Sequence, residues 1–337
     1  MITAPNGEVR VNNYACVTSA GVALKTTTAN NIHMRYAEAG SGPLVLFCHG
    51  WPESWYSWRH QLQAVSAAGF RAVAPDMRGY GGTQSPEPID QYTLLHLVGD
   101  MAELVRALGE TKAVIVGHDW GAPVAWHAAL WRPDLFTAVS AMSVPYAPPG
   151  YVDILSALEK LGIDNFYLQY FQKPGVAEAE LQQDIRGALR RLYYTAGGEM
   201  VEKDKGFGRL TGGTLLANTV DPETLPAWLS DADLDYYAAE FTRAGFRGGL
   251  NWYRNLRRNW EFSGPWRGQP IRQPSQFIAG SRDGVLRFPA AKSQLEAYPK
   301  TLPGLRGSHI LEGAGHWVQQ ERAADVNRLL IEFLKGL

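Results

Sequence analysis

The sequence predicts an α/β fold in which a mostly parallel sheet is interrupted by one helical insertion. Short all-apolar runs such as Leu44–Cys48 are typical of strands buried on both faces. Up to about residue 142 such runs alternate with helical stretches, a pattern typical of parallel strands joined by right-handed crossovers. From 146 to 266 only helices and loops are expected, and the alternation then resumes. We therefore predict a core in two parts, 1–145 and 267–337, with a helical cap domain at 146–266 between them.

The first part of the core begins with a predicted hairpin. Apolar residues alternate on either side of Asn30-Asn31, as in two antiparallel strands joined by a tight turn. The elements expected after the hairpin are, in order, the strand Leu44–Cys48, the helix Glu53–Ala67, the strand Arg71–Pro75, the helix Tyr92–Leu108, the strand Ala113–Gly117, the helix Ala122–Trp131 and the strand Thr137–Met142.

The insertion shows helical periodicity instead. Leu181, Ile185 and Leu189 recur at a spacing of four, which predicts a helix over Val176–Leu192. The Gly-rich stretch Gly197–Pro226 has little periodicity and is typical of a lid or a flexible surface loop. The remaining elements expected are the helix Leu234–Phe241, the strands Ser275–Ala279 and His309–Leu311, and the final helix Glu321–Leu334.

The composition excludes several classes of partner. The 32 basic and 33 acidic side chains leave a formal charge of −1, so no overall field attracts nucleic acid or anionic lipid. No apolar run is long enough to span a membrane, and the N-terminus does not resemble a signal peptide. Cys16 and Cys48 are the two cysteines, and we expect reduced thiols, with a single bridge as the alternative. A cytoplasmic protein without a membrane span is the expectation.

The most informative segment leads from a buried strand through Gly117-His118-Asp119-Trp120-Gly121 into a helix. Small residues at 117 and 121 allow the sharp turn of a nucleophile elbow, which lifts the residue between them above the sheet. The usual elbow carries serine, whereas this one carries Asp119. A carboxylate with an ordinary pKa of about 3.9 is ionised at neutral pH and needs no base to become nucleophilic. Asp119 can therefore form an alkyl ester at an sp³ carbon; the alternative is that it only caps the following helix.

An ester of this kind must be hydrolysed, which requires a histidine and an orienting acid later in the chain. Asp283 follows one predicted strand and His316 follows the last one. Both positions lie at the carboxyl edge of a parallel sheet, where α/β folds place their sites. The other position at which this architecture could supply the acid, directly after Met142, holds Ser143 and no carboxylate.

A third motif, His49-Gly50-Trp51-Pro52, directly follows the first parallel strand. In the elbow architecture this turn supplies one backbone donor for an oxyanion, and the residue after the nucleophile supplies the other. We therefore predict that the backbone N–H groups of Trp51 and Trp120 form an oxyanion hole.

The cap region carries candidate acids. An epoxide oxygen, for example, leaves poorly unless it is protonated from the side opposite the nucleophile. Phenols have an ordinary pKa of about 10 and remain protonated donors at neutral pH. The segments 166–172 and 249–255 contain Tyr167, Tyr170 and Tyr253, and spacing alone does not select a pair.

Taken together, these motifs resemble those of the soluble epoxide hydrolases of the α/β-hydrolase superfamily. The resemblance extends from about residue 30 to the C-terminus and is carried by HGWPESWYSWRHQ, DMRGYG, GHDWGAP, YFQKPGVAEAELQ, FRGGLNWYRN and GHWVQQE. It implies an α/β-hydrolase fold with an inserted helical cap. It also implies that the two epoxide-activating phenols are Tyr170 and Tyr253, with Tyr167 left out because the family motif places its phenol directly before Phe-Gln. The extra N-terminal phosphatase domain of mammalian members is not expected.

The resemblance further implies the roles of the other site residues. Asp119 is the nucleophile, Asp283 the acid that orients the base, His316 the base, and Trp51 and Trp120 the oxyanion donors. The reaction needs no cofactor and no metal. The expected partners are an apolar epoxide and water, with a homodimer possible and no nucleic acid.

Two other functions are compatible with the same elbow. A haloalkane or haloacid dehalogenase would share the aspartate ester but needs halide donors, and the tyrosine motifs favour the epoxide. A receptor on the same fold would bind a ligand without turnover, which the intact set of Asp119, Asp283 and His316 disfavours.

Overall fold

A computed structural model describes residues 21–150, 152–200, 208–210 and 212–337; Cys16 lies outside these ranges. In the described chain the centre is a sheet of eight strands: β1 (Ala23–Ala29), β2 (Ile32–Ala39), β3 (Leu44–Cys48), β4 (Arg71–Pro75), β5 (Ala113–His118), β6 (Phe136–Met142), β7 (Ser275–Gly280) and β8 (Leu305–Leu311). Their order across the sheet is β1-β2-β4-β3-β5-β6-β7-β8. Only the pairs β1/β2 and β2/β4 are antiparallel, and the other pairs are parallel. The predicted α/β fold with a mostly parallel sheet is confirmed.

The strands fill the centre because their side chains are apolar on both faces. Every residue of β3, β5 and β7 is buried, as expected for parallel strands covered by helices on both sides. The core helices are α1 (Arg59–Ala67), α2 (Leu94–Ala107), α3 (Gly121–Trp131) and, after the insertion, α11 (Pro289–Glu296), α12 (Tyr298–Thr301), α13 (Val318–Glu321) and α14 (Ala323–Lys335). None of these helices, nor any other in the described ranges, is long and apolar enough to cross a membrane.

The hairpin of β1 and β2 turns at Asn30 and Asn31. Their φ angles are +49° and +61°, in the left-handed region that a two-residue hairpin turn requires and that asparagine tolerates better than most residues. Ala29 pairs with Ile32 across this turn, so the predicted hairpin is confirmed.

Between β6 and β7 the described chain forms helices and one isolated bridge, Phe166 with Arg209. The helix predicted over 176–192 is two helices, because the Asp184 side chain accepts a hydrogen bond from the Gly187 N–H at 2.9 Å and starts a new helix there. The helices are α4 (Ile154–Lys160), α5 (Tyr167–Tyr170), α6 (Val176–Leu181), α7 (Ile185–Ala196), α8 (Asp231–Ala244), α9 (Arg247–Arg254) and α10 (Leu256–Phe262). Their grouping into a domain at 146–266 stays a prediction.

The insertion lies against the loops that follow the carboxyl ends of the strands. The Tyr193 hydroxyl of α7 donates to the Pro52 carbonyl oxygen at 2.6 Å, after β3. The indole N–H of Trp252 in α9 donates to the carbonyl oxygen of Arg78 at 3.1 Å, after β4. Since catalytic groups of α/β sheets occupy this same edge, the insertion covers the region in which the motifs meet.

Candidate active site

Asp119 stands on a sharp turn between β5 and α3. Its φ of +50° lies in the left-handed region, which costs free energy for a residue with a side chain and is typical of strained functional turns. The turn requires glycine on both sides: a Cβ on Gly117 would lie 2.0 Å from the Gly121 carbonyl oxygen, and one on Gly121 would lie 1.9 Å from that of Cys48. The elbow predicted from the sequence is present.

The two carboxylate oxygens of Asp119 have different neighbours. The Trp51 N–H donates to Oδ1 at 2.7 Å, and Nε2 of His316 lies 3.4 Å from Oδ2. A Cβ at Gly50 would lie 2.3 Å from Oδ1, so the turn after β3 approaches the carboxylate backbone-first. Trp120 directly precedes α3, where backbone N–H groups lack partners within the helix; its part in an oxyanion hole stays a prediction.

His316 is held from its other ring nitrogen. Nδ1 lies 3.1 Å from Oδ1 of Asp283 and 3.0 Å from the hydroxyl oxygen of Ser143. Asp283 is 1% exposed and also accepts the Val285 N–H at 2.9 Å. Three residues distant in sequence therefore form one buried cluster beside Asp119.

The charges of this cluster shift the pKa values of its members. Burial alone would lower the pKa of His316, but the carboxylates of Asp283 and Asp119 outweigh it and hold the pKa well above its ordinary value. Burial alone would likewise raise the pKa of Asp283, yet the neighbouring His316 keeps that pKa below its ordinary value. The arrangement favours an imidazolium between two carboxylates.

Two phenols share a cavity with the carboxylate. Tyr253 and Tyr167 line the space beside Asp119, and their ring centroids are 5.9 Å apart. Burial, reinforced by the charge of Asp119, raises the pKa of both phenols. Both side chains are therefore protonated donors at neutral pH.

The structure contradicts the assignment of Tyr170. Its hydroxyl donates to Oε2 of Glu180 at 2.7 Å, and it does not line either cavity beside Asp119. The same Glu180 carboxylate accepts the N–H groups of Leu215 and Leu216, so Tyr170 belongs to the packing of the insertion. Tyr167, one turn earlier on α5, lines the cavity beside Asp119 instead.

The comparisons with known proteins agree on one family. A model of the α/β hydrolase fold matches residues 43–323. Epoxide hydrolase A of Mycobacterium tuberculosis is 43% identical, over 91% of this chain and 96% of that protein. Epoxide hydrolase 2 of Siraitia grosvenorii is 42% identical, over 92% of this chain and 97% of that protein. The chain belongs to the epoxide hydrolases.

A solved structure agrees with this membership. The epoxide hydrolase from an endophytic Streptomyces superposes with a TM-score of 0.91 at 47% identity and covers 94% of this chain and 96% of its own. The predicted resemblance to soluble epoxide hydrolases with an α/β-hydrolase fold is confirmed, and with it hydrolysis of epoxides as the activity class.

In this epoxide hydrolase the cavity has two branches that meet at Asp119, Tyr167 and Tyr253. One branch has a volume of about 180 Å³ and is bordered by Trp51 and His316. The other has a volume of about 730 Å³ and extends between the insertion and the core. Asp119 and both phenols therefore border both branches.

A second buried network supports the epoxide hydrolase site. Oε2 of Glu53 accepts the Gly50 N–H at 2.9 Å and lies 2.9 Å from Nδ1 of His118. Nε2 of His118 lies 2.7 Å from the His316 carbonyl oxygen. Both ring nitrogens of His118 therefore face oxygen atoms, one of a carboxylate and one of a backbone carbonyl. Burial would raise the pKa of Glu53, but the facing His118 lowers it to about 2.

A third set of contacts surrounds His316. Glu321 accepts the N–H groups of Gly315 at 2.7 Å and Trp317 at 3.0 Å, on either side of His316. It also accepts the Gly198 N–H of the insertion at 3.0 Å. Sequence reasoning left out Tyr167 in favour of Tyr170 and noted Ser143 only as the absence of a carboxylate. It missed Glu53, His118 and Glu321; the presence of Glu53 and Glu321 inside the HGWPE and GHWVQQE motifs was the available signal.

Proposed function

We propose that this epoxide hydrolase converts an apolar epoxide to a vicinal diol through a covalent ester on Asp119. The proposal is supported by one arrangement: a carboxylate with a backbone donor on one oxygen, an imidazole beside the other, and two phenols in the same cavity. The reaction consumes the epoxide and one water.

In the first step Oδ2 of Asp119 attacks a ring carbon while the ring C–O bond breaks. Oδ1, which already accepts a hydrogen bond from the Trp51 N–H, becomes the carbonyl oxygen of the ester. Tyr167 and Tyr253 bind the ring oxygen, and one phenol transfers its proton to it. Because the resting His316 favours the imidazolium, a proton is available nearby to restore the phenol through solvent.

In the second step water attacks the ester carbonyl carbon of Asp119. Esterification has removed the negative charge that helped to raise the pKa of His316, so the pKa falls and the neutral ring accepts the proton of water. The N–H groups of Trp51 and Trp120 stabilise the oxyanion. Collapse of the tetrahedral intermediate breaks the ester C–O bond, and the leaving alkoxide takes the proton of the new carboxyl group. The diol is released, Asp119 is again a carboxylate and His316 is again an imidazolium.

The first test concerns the ester. His316→Gln is expected to react once with an apolar epoxide such as styrene oxide and to accumulate a protein adduct of the substrate's mass. The mass of the intact protein is measured with time. A folded variant that neither forms the adduct nor releases diol contradicts the covalent route.

The second test concerns the phenols. Tyr167→Phe and Tyr253→Phe are each expected to lower kcat/KM for the epoxide by about 100-fold, because a general acid contributes about 10²–10⁴-fold. Tyr170→Phe is the matched control, since it removes a phenol from the same helix, and it should retain activity within about threefold. A loss in Tyr170→Phe equal to that in Tyr167→Phe contradicts the assignment.

We also propose a cytoplasmic setting, a division of the chain at 1–145, 146–266 and 267–337, and a possible homodimer. The Cys48 thiol is buried and has no disulfide partner among the described residues, which is compatible with a reducing compartment. Light scattering of the purified protein tests the oligomeric state.

A further inference from the structure

The two phenols beside Asp119 belong to different helices of the insertion. Tyr167 is the first residue of α5, and Tyr253 is the last residue but one of α9. The aromatic ring of Phe171, directly after α5, contacts both phenols, with its centroid 5.6 Å from that of Tyr167 and 4.8 Å from that of Tyr253. Because both hydroxyls must reach one ring oxygen, the distance between α5 and α9 determines whether they act together.

The side chain of Arg254, the residue after Tyr253, joins these two helices. Its Nε donates to the carbonyl oxygen of Phe171 at 3.0 Å, and its Nη2 donates to that of Lys173 at 3.3 Å. Its Nη1 donates to the side-chain oxygen of Asn251, one turn earlier on α9, at 2.9 Å. The guanidinium therefore bonds to the backbone that leaves α5, while the residue itself belongs to α9.

A carboxylate holds this guanidinium in place. Nη1 and Nη2 of Arg254 donate to Oε1 and Oε2 of Glu178 at 2.7 and 3.0 Å, a two-point geometry that makes arginine–carboxylate pairs strong. The two side chains are only 3% and 10% exposed. Oε2 of Glu178 also accepts the Gly175 N–H at 2.9 Å. Separation of the pair would leave two unpaired charges in the interior, so the guanidinium is held where it bonds to the end of α5.

Gln172 supplies a second link between the same helices. Its side-chain amide donates to the carbonyl oxygen of Tyr253 at 3.0 Å and to that of Leu168 at 2.7 Å. The end of α9 is itself bonded to the core, because the side-chain amide of Asn255 donates to the Ile89 carbonyl oxygen at 2.6 Å. The helix α5 is thereby positioned relative to the core through α9.

We propose that Arg254, held by Glu178, is a positioning residue for the two phenols and sets the distance between α5 and α9 at which both hydroxyls reach one ring oxygen. The inference rests on the proposed opening of the epoxide by Asp119 and extends it to two described residues outside the lining of either cavity branch. The phenols act while the ring C–O bond breaks, whereas hydrolysis of the ester uses His316 and water. Only ester formation therefore depends on this positioning.

The test uses the double variant Arg254→Met/Glu178→Gln. Replacement of one partner alone would leave a buried charge unpaired, whereas this variant removes both charges, and glutamine keeps an acceptor for the Gly175 N–H. With styrene oxide we expect ester formation to be about tenfold slower, because a reacting group misplaced by about 1 Å can cost about 10²-fold. Ester hydrolysis should stay within about twofold of the wild-type rate.

The two steps are measured separately. Ester formation is followed as accumulation of the protein adduct in the His316→Gln background. The rate of hydrolysis, with His316 present, is kcat divided by the fraction of protein found as ester when the steady state is quenched. This ratio gives the hydrolysis rate whichever step is slower, so a split between the two steps is visible in either case.

A second comparison separates positioning of a phenol from general loosening of the insertion. In the Tyr167→Phe background α5 no longer carries the phenol, so the double variant should slow ester formation by less than about threefold further. In the Tyr253→Phe background Tyr167 remains and is misplaced, so nearly the full tenfold effect is expected. Groups that act through one another show this kind of non-additivity, and independent groups do not.

Arg258→Met is the matched control, because Arg258 is exposed and donates only locally, to the side-chain oxygen of Asn255 at 3.4 Å; both steps should be unchanged. If the double variant does not fold, Gln172→Met carries the test without removing a charge, with ester formation about threefold slower.

Unchanged ester formation in the folded variants, equal slowing of both steps, or a full tenfold loss in the Tyr167→Phe background overturns the positioning role of Arg254. Absence of both ester and diol in the wild-type protein would instead be a failure of the proposed function, so the two failures are distinguished.

Discussion

At the scale of the residue, Ser143 shows how a group without charge can complete a catalytic cluster. It is fully buried after β6 with a φ of +71°, and its hydroxyl lies 3.0 Å from Nδ1 of His316. The same nitrogen lies 3.1 Å from Oδ1 of Asp283. The hydroxyl therefore restricts the ring of His316 and stabilises the ionised form of Asp283.

We expect Ser143→Ala to slow hydrolysis of the ester about tenfold, because the imidazole loses one of two restraints, while the rate of ester formation stays within about twofold. Rapid-quench measurement of the two half-reactions checks this. Ser143→Gly also removes the hydroxyl, but it relieves the backbone strain because glycine accepts a positive φ without cost. Comparison of the glycine and alanine variants therefore separates the effect of the hydroxyl from that of the strain. Normal hydrolysis in the glycine variant would show that backbone strain, and not the missing hydroxyl, limits the alanine variant.

The sequence could predict Asp119, Asp283 and His316 as neighbours because each follows a buried strand and strand ends share one edge of a sheet. It could not choose between Tyr167 and Tyr170. Both phenols lie on one short helix, and the choice depends on where that helix sits relative to Glu180, a contact within the insertion that no strand pattern encodes. Ser143 was noted only as the absence of an acid.

At the scale of the element, Glu321 joins the insertion to the loop that carries His316. Its carboxylate accepts the N–H groups of Gly315 and Trp317, and also that of Gly198 beyond α7. The His316 N–H donates in turn to the Ala196 carbonyl oxygen at 2.8 Å. Glu321 is therefore a positioning residue for His316.

We expect Glu321→Gln to lower kcat about tenfold with little change in KM, because an amide offers a donor where the carboxylate offers an acceptor.

Burial raises the pKa of Glu321 to about 7, and protonation weakens the acceptor. The rate of ester hydrolysis in the wild-type protein should therefore decrease as the pH falls through 7. The pH profile of single turnovers checks this, and a profile unchanged in the glutamine variant would contradict the assignment.

Strands β3 to β7 were predictable to within one residue because short apolar runs between turn residues are typical of buried strands. Strand β8 was predicted only as His309–Leu311, although it spans Leu305–Leu311, because its burial alternates and its first residues are not an apolar run. Helix ends were less predictable. The apolar spacing across 176–192 continues through residues 182–184, yet the chain breaks there because the Asp184 side chain satisfies a backbone N–H that would otherwise continue the first helix. The cap formed by Asp184 therefore sets the boundary between the two helices, although the apolar spacing continues across it.

At the scale of the whole molecule, the insertion is fixed to the core by buried charges. Arg35 of β2 lies 2.5 Å from both Asp76 of the core and Glu240 of α8. The Glu240 side chain is 4% exposed and that of Asp76 is fully buried. One guanidinium thus bridges two carboxylates across the junction of core and insertion, and Arg243 also pairs with Glu240 at 3.0 Å.

We expect Arg35→Met to lower the free energy of unfolding by about 3 kcal/mol or more near pH 8, because it leaves two buried carboxylates facing each other. Burial and the nearby Asp76 raise the pKa of Glu240, and the charge of Arg35 offsets part of this rise. A carboxyl whose pKa is raised in the fold stabilises the protein less as the pH rises through that pKa.

The deficit of Arg35→Met should therefore shrink when the pH is lowered from 8 to 5, as a carboxyl of the pair takes up a proton. Urea unfolding at both pH values measures it. Arg328→Met is the matched control, because Arg328 and Glu332 form an exposed pair whose loss should cost less than about 0.5 kcal/mol. A deficit that grows at acidic pH would contradict the argument.

The pairing of β6 with β7 has a consequence for the synthesis of the chain. These strands are neighbours in the sheet, yet about 130 residues separate them in the chain. A growing polypeptide completes the strands that carry Asp119 long before it supplies Asp283 and His316, and the edge of β6 stays open meanwhile. A chain truncated before β8 would hold the proposed nucleophile without its base. In such a fragment an ester formed on Asp119 would not be hydrolysed, so turnover requires the complete chain.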